Sequence, residues 1–347
     1  MQNISKNNHI KPLTSIRFFA AFFVFLCHLR YFYNTDISYV YIKEGFIGVT
    51  FFFILSGFIL AYSYQNKIIS GKTSIKSFYI ARIARIYPIH VCTFIAAISF
   101  FSYGYYSSDQ FIFNAALIQA FIPESKYYFT VNAVSWSISV ELFLYLLLPF
   151  IIRLDNKGLL YLSIILLLLK LSMSISLSDK LNHAMVYISP FMRVSDFSIG
   201  ILMYRYRNIL IEKLSKLNIL YLQAVSIITL VIFCSYSNQI PISYRYDLYY
   251  ILPMSMIILS LSIDGTLIFR ALSNKVFVFL GEVSFSFYMI HQMVIKFFIE
   301  NNHNLNLTNW QLFLSMFLSS LLLSIIAYKI IEIPSKNIII KLFRGKN

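Results

Sequence analysis

The run LTSIRFFAAFFVFLCHLRYFY, residues 13–33, decides the fold class. It is long and apolar enough to cross a bilayer as one helix, since a span needs about 20 such residues. Arg17 and His28 nevertheless lie within it, and ionisable residues inside a span are costly and usually functional. Eleven residues of helix return to nearly the same face, about 16 Å further along the axis. One helix face is therefore predicted to carry a cation near one end and an imidazole towards the other.

The rest of the chain has the composition of a membrane protein. Of its 347 residues, 59% are hydrophobic and 12% are charged, whereas soluble domains contain about 25% charged residues. The apolar runs are continuous, which favours helices over an outer-membrane barrel. We predict an all-α polytopic membrane helical bundle with about ten transmembrane helices. The runs are residues 13–33, 46–65, 86–106, 134–152, 158–178, 185–204, 219–237, 247–264, 276–299 and 311–333.

The distribution of basic residues predicts the orientation. The net charge is +15, and with a cytoplasmic N-terminus about 19 of the 29 Lys and Arg residues fall on the inner side and about five on the outer side. This asymmetry follows the positive-inside rule, so both termini are predicted to be cytoplasmic and no nucleic-acid partner is expected. The predicted organisation is a cytoplasmic tail at 1–12, a membrane domain at 13–333 and a basic cytoplasmic tail at 334–347.

Several motif classes are missing from the sequence. Cys27, Cys92 and Cys234 are scattered through apolar runs and suggest neither a disulfide framework nor a metal site. No metal-binding or phosphate-loop motif of known spacing occurs either. The first run contains Arg and His and lacks a small-residue cleavage site, so we interpret it as a retained span rather than a signal peptide.

The polar residues within the runs are the candidates for chemistry. His28 can be neutral near pH 7 and accept a proton, which suits a general base, although a histidine bonded to a neighbouring span is the structural alternative. Glu141, in NAVSWSISVELFLYLLLP, must be paired or protonated if buried. It could orient an imidazole or pair with Arg193, and Arg193 could instead pair with Asp196 three residues later. His291 is interpreted as structural rather than catalytic.

Two arginines lie at the predicted cytoplasmic mouth of the third span. Arg82 and Arg85, in FYIARIARIYP, are three residues apart and share a helix face. Two forked guanidinium groups suit bidentate contacts with phosphates. The alternative is an ordinary positive-inside anchor. Further along, residues 111–122 are predicted as either a short interfacial helix or a hydrophobic outer loop.

In this order the motifs resemble those of the acyltransferase 3 family, the multi-span bacterial O-acyltransferases that acylate surface and secreted glycans. The resemblance covers about residues 10–335. One departure is Phe18, where the family often has glycine after the first-span arginine. The matching motifs are Arg17 and His28 at an interval of eleven, GVTFFFILSGFIL at 48–60, Arg82 and Arg85 followed by Tyr87 and Pro88, Trp136 and Ser137 followed by Glu141, LGEVSFSFYMIH ending at His291, and Glu332 with Pro334.

The resemblance implies a function and a set of site residues. It implies that His28 is the catalytic base supported by Arg17, and that Glu141 has a structural or catalytic role. It implies that Arg82 and Arg85, with the adjacent Tyr87, bind an acyl-CoA donor. Acetyl-CoA is the expected donor and no metal is expected. The expected acceptor is a hydroxyl of a cell-surface glycan, such as lipid-linked O-antigen or exopolysaccharide, and the expected location is the bacterial cytoplasmic (inner) membrane.

Two alternatives remain open at this point. A transporter or flippase of lipid-linked glycans would also need many spans with intramembrane charges. A structural partner of a glycan assembly complex would need the spans but not the polar residues inside them. Binding of acyl-CoA discriminates the first interpretation from both.

Overall fold

Helices make up almost all of the chain that the structure describes. The computed structural model describes residues 10–29, 41–101, 106–213 and 216–344, and it contains no β-strand within them. Most of the predicted N-terminal tail, residues 30–33 of the first run and residues 345–347 of the predicted C-terminal tail lie outside the described residues. The longer helices are α1 Lys11–His28, α2 Ile47–Ile69, α3 Ile75–Phe101, α4 Ser108–Ala115, α5 Trp136–Ile151, α6 Asn156–Ser176, α7 Pro190–Lys213, α8 Lys216–Ser235, α9 Ile251–Leu261, α10 Lys275–Leu305, α11 Asn309–Ala327 and α12 Ile333–Arg344.

Short helical turns connect several of these helices. Four-residue and six-residue turns of α-helix occur at Ser125–Tyr128, Asp179–Asn182, Ile242–Arg245 and Leu267–Leu272. Short 3₁₀ segments occur at Glu44–Phe46, Gln119–Phe121, Ala133–Ser135 and Ser237–Gln239, and π-helical segments at His183–Ile188 and Tyr328–Glu332.

The all-α polytopic fold predicted from the sequence is confirmed. Eight stretches of the described chain are long and apolar enough to cross a membrane, namely α1, α2, α3, α5, α6, α8, α10 and α11 continued into α12. Two of the ten predicted runs are not among them. The run at 185–204 is interrupted by a break in the helix at Ser189, before α7, and α7 carries several charges. The run at 247–264 yields only the 11 residues of α9, about half of what a span requires.

Two close helix contacts set the geometry of the bundle. α1 and α10 run in the same direction and meet at Gly281, where a Cβ atom would collide with the backbone oxygen of Thr14. α2 and α7 cross where Gly57 approaches the carbonyl of Phe197 and Gly200 approaches the backbone of α2. Small residues permit this closeness between membrane helices, where packing rather than hydrophobic exclusion drives association.

The segment between α3 and α5 folds back onto the bundle through buried amides. The predicted helix or loop at 111–122 is in part helical, since α4 ends at Ala115 and a 3₁₀ turn follows at Gln119–Phe121. Asn114 donates to the carbonyl of Thr130 at 2.8 Å. Asn132 donates to the carbonyl of Met289 on α10 at 2.9 Å. These bonds tie the segment to itself and to the backbone of α10 through buried amide groups.

Candidate active site

A cavity lies between α1, α2, α3, α5 and α10. Its volume is about 100 Å³, which is room for several water molecules. Its walls combine apolar side chains from α2 with polar groups from the other helices. The polar side chains that line it are Arg17, Ser56, Arg82, Arg85, Ser137, Glu141, Tyr145, Ser284 and Tyr288.

Three guanidinium groups form one end of this cavity, which we call the arginine end (Arg17, Arg82 and Arg85). Arg82 and Arg85 share a face of α3 because residues three apart on a helix are neighbours. α3 begins at Ile75, well before residue 86, where the third predicted run starts. Pro88 lies within this helix. Arg17 reaches the same place from α1. The structure therefore groups Arg17 with Arg82 and Arg85.

The three arginines differ in how their donors are satisfied. Arg82 donates to the hydroxyl of Tyr64 at 2.9 Å, and its guanidinium group lies over the rings of Tyr64 and Tyr145. Its Nε atom is buried without a hydrogen-bond partner. Within the described chain, Arg17 and Arg85 make no hydrogen bond and no ion pair within 4.0 Å. Donors of this kind normally find partners, so the arginine end is open to an anionic ligand.

Two carboxylates face the arginine end without closing ion pairs to it. Glu141 lines the cavity and accepts a very short hydrogen bond from Tyr145, one turn later on α5. Glu332, in the π-helical segment before α12, accepts a bond from Ser286 at 2.7 Å. Both carboxylates lie near enough to Arg17 and Arg85 to interact with them electrostatically. Three guanidinium groups against two carboxylates leave this region net positive.

A second polar site lies beyond the cavity and consists of two imidazoles, which we call the histidine pair (His28 and His291). Nδ1 of His28 is 2.8 Å from Nε2 of His291. Nδ1 of His291 is 2.7 Å from the carbonyl oxygen of Tyr288 and 3.2 Å from that of Phe287. His291 is fully buried, and His28 is half-buried. The sequence predicted neither this pairing nor a role for His291 beyond structure.

Tyr288 connects the cavity with the histidine pair. Its side chain lines the cavity, where Ser137 lies 2.8 Å from its hydroxyl. Its backbone carbonyl holds His291, one turn further along α10. The cavity therefore extends from the arginine end to Tyr288, and the backbone of Tyr288 contacts His291 directly.

The structure separates some residues that the sequence grouped together. Arg17 interacts electrostatically with Arg85, Glu141, Tyr145 and Glu332, so it lies at the arginine end of the cavity, and His28 lies towards the other end of α1, as their spacing predicted. Tyr87 is not part of the cavity wall. Its hydroxyl donates to the carbonyl of Ala116 at 3.3 Å.

The pairing of Arg193 with Asp196 is confirmed by an ion pair of 2.9 Å. The alternative partner for Arg193, Glu141, bonds to Tyr145 instead. Lys170 and Asp247 complete a cluster of four charged side chains, all fully buried and none part of the cavity wall. A separate buried ion pair joins Arg245 to Glu44. Groups of three or more His, Cys, Asp or Glu that could hold a metal do not occur in the described part of the chain.

Comparison with known proteins identifies the family. Residues 12–329 match the acyltransferase 3 family, described as an acyltransferase domain. Acyltransferase MdmB of Streptomyces mycarofaciens is 35% identical over 161 residues, which cover 43% of this chain and 40% of that protein. Protein 2 in the picA locus of Rhizobium radiobacter is 37% identical over 79 residues, 23% of this chain and 39% of that protein.

A third relative matches over a greater length. ORF330 of Acidianus two-tailed virus, provisionally named an acetyltransferase, is 24% identical over 298 residues, 83% of this chain and 84% of that protein. By contrast, this chain covers only about two fifths of the length of the Streptomyces and Rhizobium proteins. No solved structure gives a significant match. Because the family match extends over nearly the whole chain, this protein belongs to the acyltransferase 3 family.

Proposed function

We propose that this protein is a membrane O-acyltransferase that transfers an acyl group from acyl-CoA to a hydroxyl of a cell-surface glycan. Acetyl-CoA is the proposed donor. The observation that carries the proposal is the cavity itself. Two of its guanidinium groups, those of Arg17 and Arg85, have no acceptor among the described residues, and its other end approaches the histidine pair.

The arginine end suits the phosphates of the donor. A guanidinium group removed from water needs an anionic partner. The two carboxylates of Glu141 and Glu332 do not balance the three guanidinium groups of the arginine end. Phosphate oxygens accept two parallel N–H bonds from one guanidinium group. The cavity of about 100 Å³ is too small for a nucleotide. The acyl-thioester arm would therefore occupy the cavity, and the nucleotide would lie outside it beyond the arginine end, where Lys336 adds a positive charge near Arg82 and Arg85.

The proposed reaction uses His28 as the base. The acceptor hydroxyl transfers its proton to His28 while its oxygen attacks the thioester carbonyl. The carbon–sulfur bond then breaks, and the departing thiolate of CoA takes the proton back from the imidazolium. The products are an ester and free CoA. A positioned general base contributes on the order of 10²–10⁴-fold to such a reaction.

The sidedness follows from the predicted topology. The positive-inside distribution would place the arginine end on the cytoplasmic side, where acyl-CoA is found, and the histidine pair towards the outer leaflet. A lipid-linked O-antigen unit or an exopolysaccharide could approach from that outer side. We therefore propose the bacterial cytoplasmic membrane as the location.

The first test is transfer of labelled acetyl groups by purified protein. Wild-type protein, radiolabelled acetyl-CoA and glycolipid from the host membrane should give labelled glycan, and His28→Ala should give none while remaining folded. Wild-type rates in His28→Ala would rule out His28 as the base. An absence of acetyl-CoA binding to wild-type protein would instead favour a transporter or flippase of lipid-linked glycans.

A second test addresses the arginine end. Arg85→Gln should raise the donor KM roughly 10- to 100-fold with a smaller change in kcat, because a hydrogen bond to a charged group contributes about 1.5–3 kcal/mol. Lys76→Gln is the matched control, since Lys76 lies on the same helix and is exposed. An unchanged donor KM in Arg85→Gln, or an equal rise in Lys76→Gln, would contradict phosphate binding at this end.

A further inference from the structure

We propose that His291 is a positioning residue that fixes the tautomer and orientation of His28. The proposal rests on the proposed function, in which His28 is the base. It arises from the contact between the two imidazoles, which are 263 positions apart in sequence and 2.8 Å apart in space. The two rings lie nearly parallel, with their planes 19° apart.

The positions of the protons follow from the partners of His291. A carbonyl oxygen can only accept a hydrogen bond, so Nδ1 of His291 must carry the proton it donates to the carbonyl of Tyr288 at 2.7 Å. In a neutral imidazole, Nε2 of His291 is then unprotonated and accepts. The contact at 2.8 Å therefore requires Nδ1 of His28 to be the donor. Nε2 of His28 consequently carries the lone pair and is the basic nitrogen.

The packing around His291 makes this arrangement rigid. His291 is fully buried, and its ring packs against the aromatic rings of Phe25 and Phe287. A buried imidazole needs partners for its polar atoms. The carbonyl of Tyr288 and the ring of His28 supply one for each nitrogen, so rotation of His291 would leave both nitrogens without a bond. His291 is held by the helix that also lines the cavity, which links the base to the donor site.

The same contact assists the reaction when His28 becomes protonated. The bond from Nδ1 of His28 to Nε2 of His291 then becomes charge-assisted, and such bonds are shorter and stronger than neutral ones. His291 stays neutral throughout and no proton passes to it. Its contribution is orientation of the base and stabilisation of the imidazolium, which is the role that a third group plays in nucleophile–base–orienter arrangements generally.

Three substitutions separate this role from simple packing. His291→Phe keeps a buried ring among its aromatic neighbours but has no acceptor. His291→Gln places an amide oxygen near the former Nε2 position, where it can accept from His28. His291→Asn is shorter by one methylene and cannot reach His28. We expect kcat to fall roughly 10²-fold or more in the Phe and Asn variants, to fall less than about 10-fold in the Gln variant, and the donor KM to stay within about 2-fold in all three.

The measurement is steady-state acetyl transfer by purified full-length protein, with binding of acetyl-CoA measured in parallel. His90→Phe is the control, because His90 is also fully buried and bonds a backbone carbonyl, that of Asn114, away from the cavity. It should retain kcat within about 2-fold. Comparison of Gln with Asn keeps the test decisive even if the Phe variant does not fold.

The possible failures are distinguishable. An inactive wild-type protein would reject the proposed function and this inference with it. An active wild-type protein that depends on His28, together with an undiminished kcat in His291→Asn, would overturn only the role of His291. A Gln variant as impaired as the Asn variant would also overturn it, since acceptance of one hydrogen bond would then be insufficient.

Discussion

Replacement of Lys170 by methionine tests the buried charge cluster. Nζ of Lys170 lies 2.8 Å from Asp196 and also contacts Asp247 directly. Arg193 bonds Asp196 at 2.9 Å and lies 3.6 Å from Asp247. Two cations and two carboxylates, all fully buried, sum to zero. Methionine has a similar length and no charge, so Lys170→Met leaves a net negative charge sealed inside the bundle.

The expected cost follows from that imbalance. Removal of one partner from a buried ion pair typically destabilises a protein by about 3–5 kcal/mol, because the other charge is left uncompensated. The double variant Lys170→Met with Asp247→Asn is neutral and keeps the pair of Arg193 with Asp196. Replacement of a whole buried pair is often close to neutral, so the double variant should recover most of the lost stability.

Thermal unfolding in detergent provides the assay. Cys27 and Cys234 are buried, so a dye that becomes fluorescent on reaction with thiols reports their exposure. We expect Lys170→Met to lower the apparent Tm by roughly 5–15 °C, and the exposed control Lys180→Met to change stability by less than about 0.5 kcal/mol. A single variant as stable as wild type would refute the reasoning. A double variant less stable than the single one would refute it as well.

Two further predictions concern helix packing and the segment between α3 and α5. Gly281→Val should destabilise the protein by about 1–3 kcal/mol in the same thermal assay, because its side chain would meet the backbone oxygen of Thr14 and separate α1 from α10. Hydrogen bonds from the side chains of Ser107 and Tyr127 lower the pKa of Asp109 below its ordinary value of 3.8. These bonds stabilise the segment above that value and are lost as the pH falls through the lowered pKa. Protease digestion of this segment should therefore increase in strong acid, and Tyr127→Phe should show a smaller increase between neutral and acid pH.

The sequence predicted the helices well because their signal is local. Continuous apolar runs and the distribution of basic residues depend only on neighbours along the chain. The same is true of Arg82 and Arg85, which share a helix face as their spacing requires. The two runs that do not give a full span are explained locally as well, since α7 carries charges and follows a break in the helix, and α9 contains only 11 residues.

Apolar runs and helical spacing could not predict which site residues lie together. Helical periodicity places Arg17 and His28 on one face of α1 but does not say which helix that face meets. The partner of His28 lies 263 positions away, and the assembly of Arg17 with Arg85 depends on α1 and α3 lining the same cavity. Lys170 stood in the sequence as a single lysine in an apolar run. An intramembrane charge of that kind needs a buried partner, so a search for unpaired carboxylates in other runs would have suggested Asp196 and Asp247.

The bilayer explains why the two sets of intramembrane charges differ. Charge inside a low-dielectric bundle must be balanced or the fold becomes unstable. The cluster of Lys170, Arg193, Asp196 and Asp247 is balanced within itself and fully buried, so it needs no ligand and can hold α6, α7 and the turn before α9 together. The arginine end is not balanced and remains accessible from a cavity. Under the proposed function, a donor phosphate would complete the charge balance there and so couple donor binding to a more stable bundle. Acetyl-CoA should accordingly raise the apparent Tm of wild-type protein, whereas Arg85→Gln should reduce that rise at equal ligand concentration.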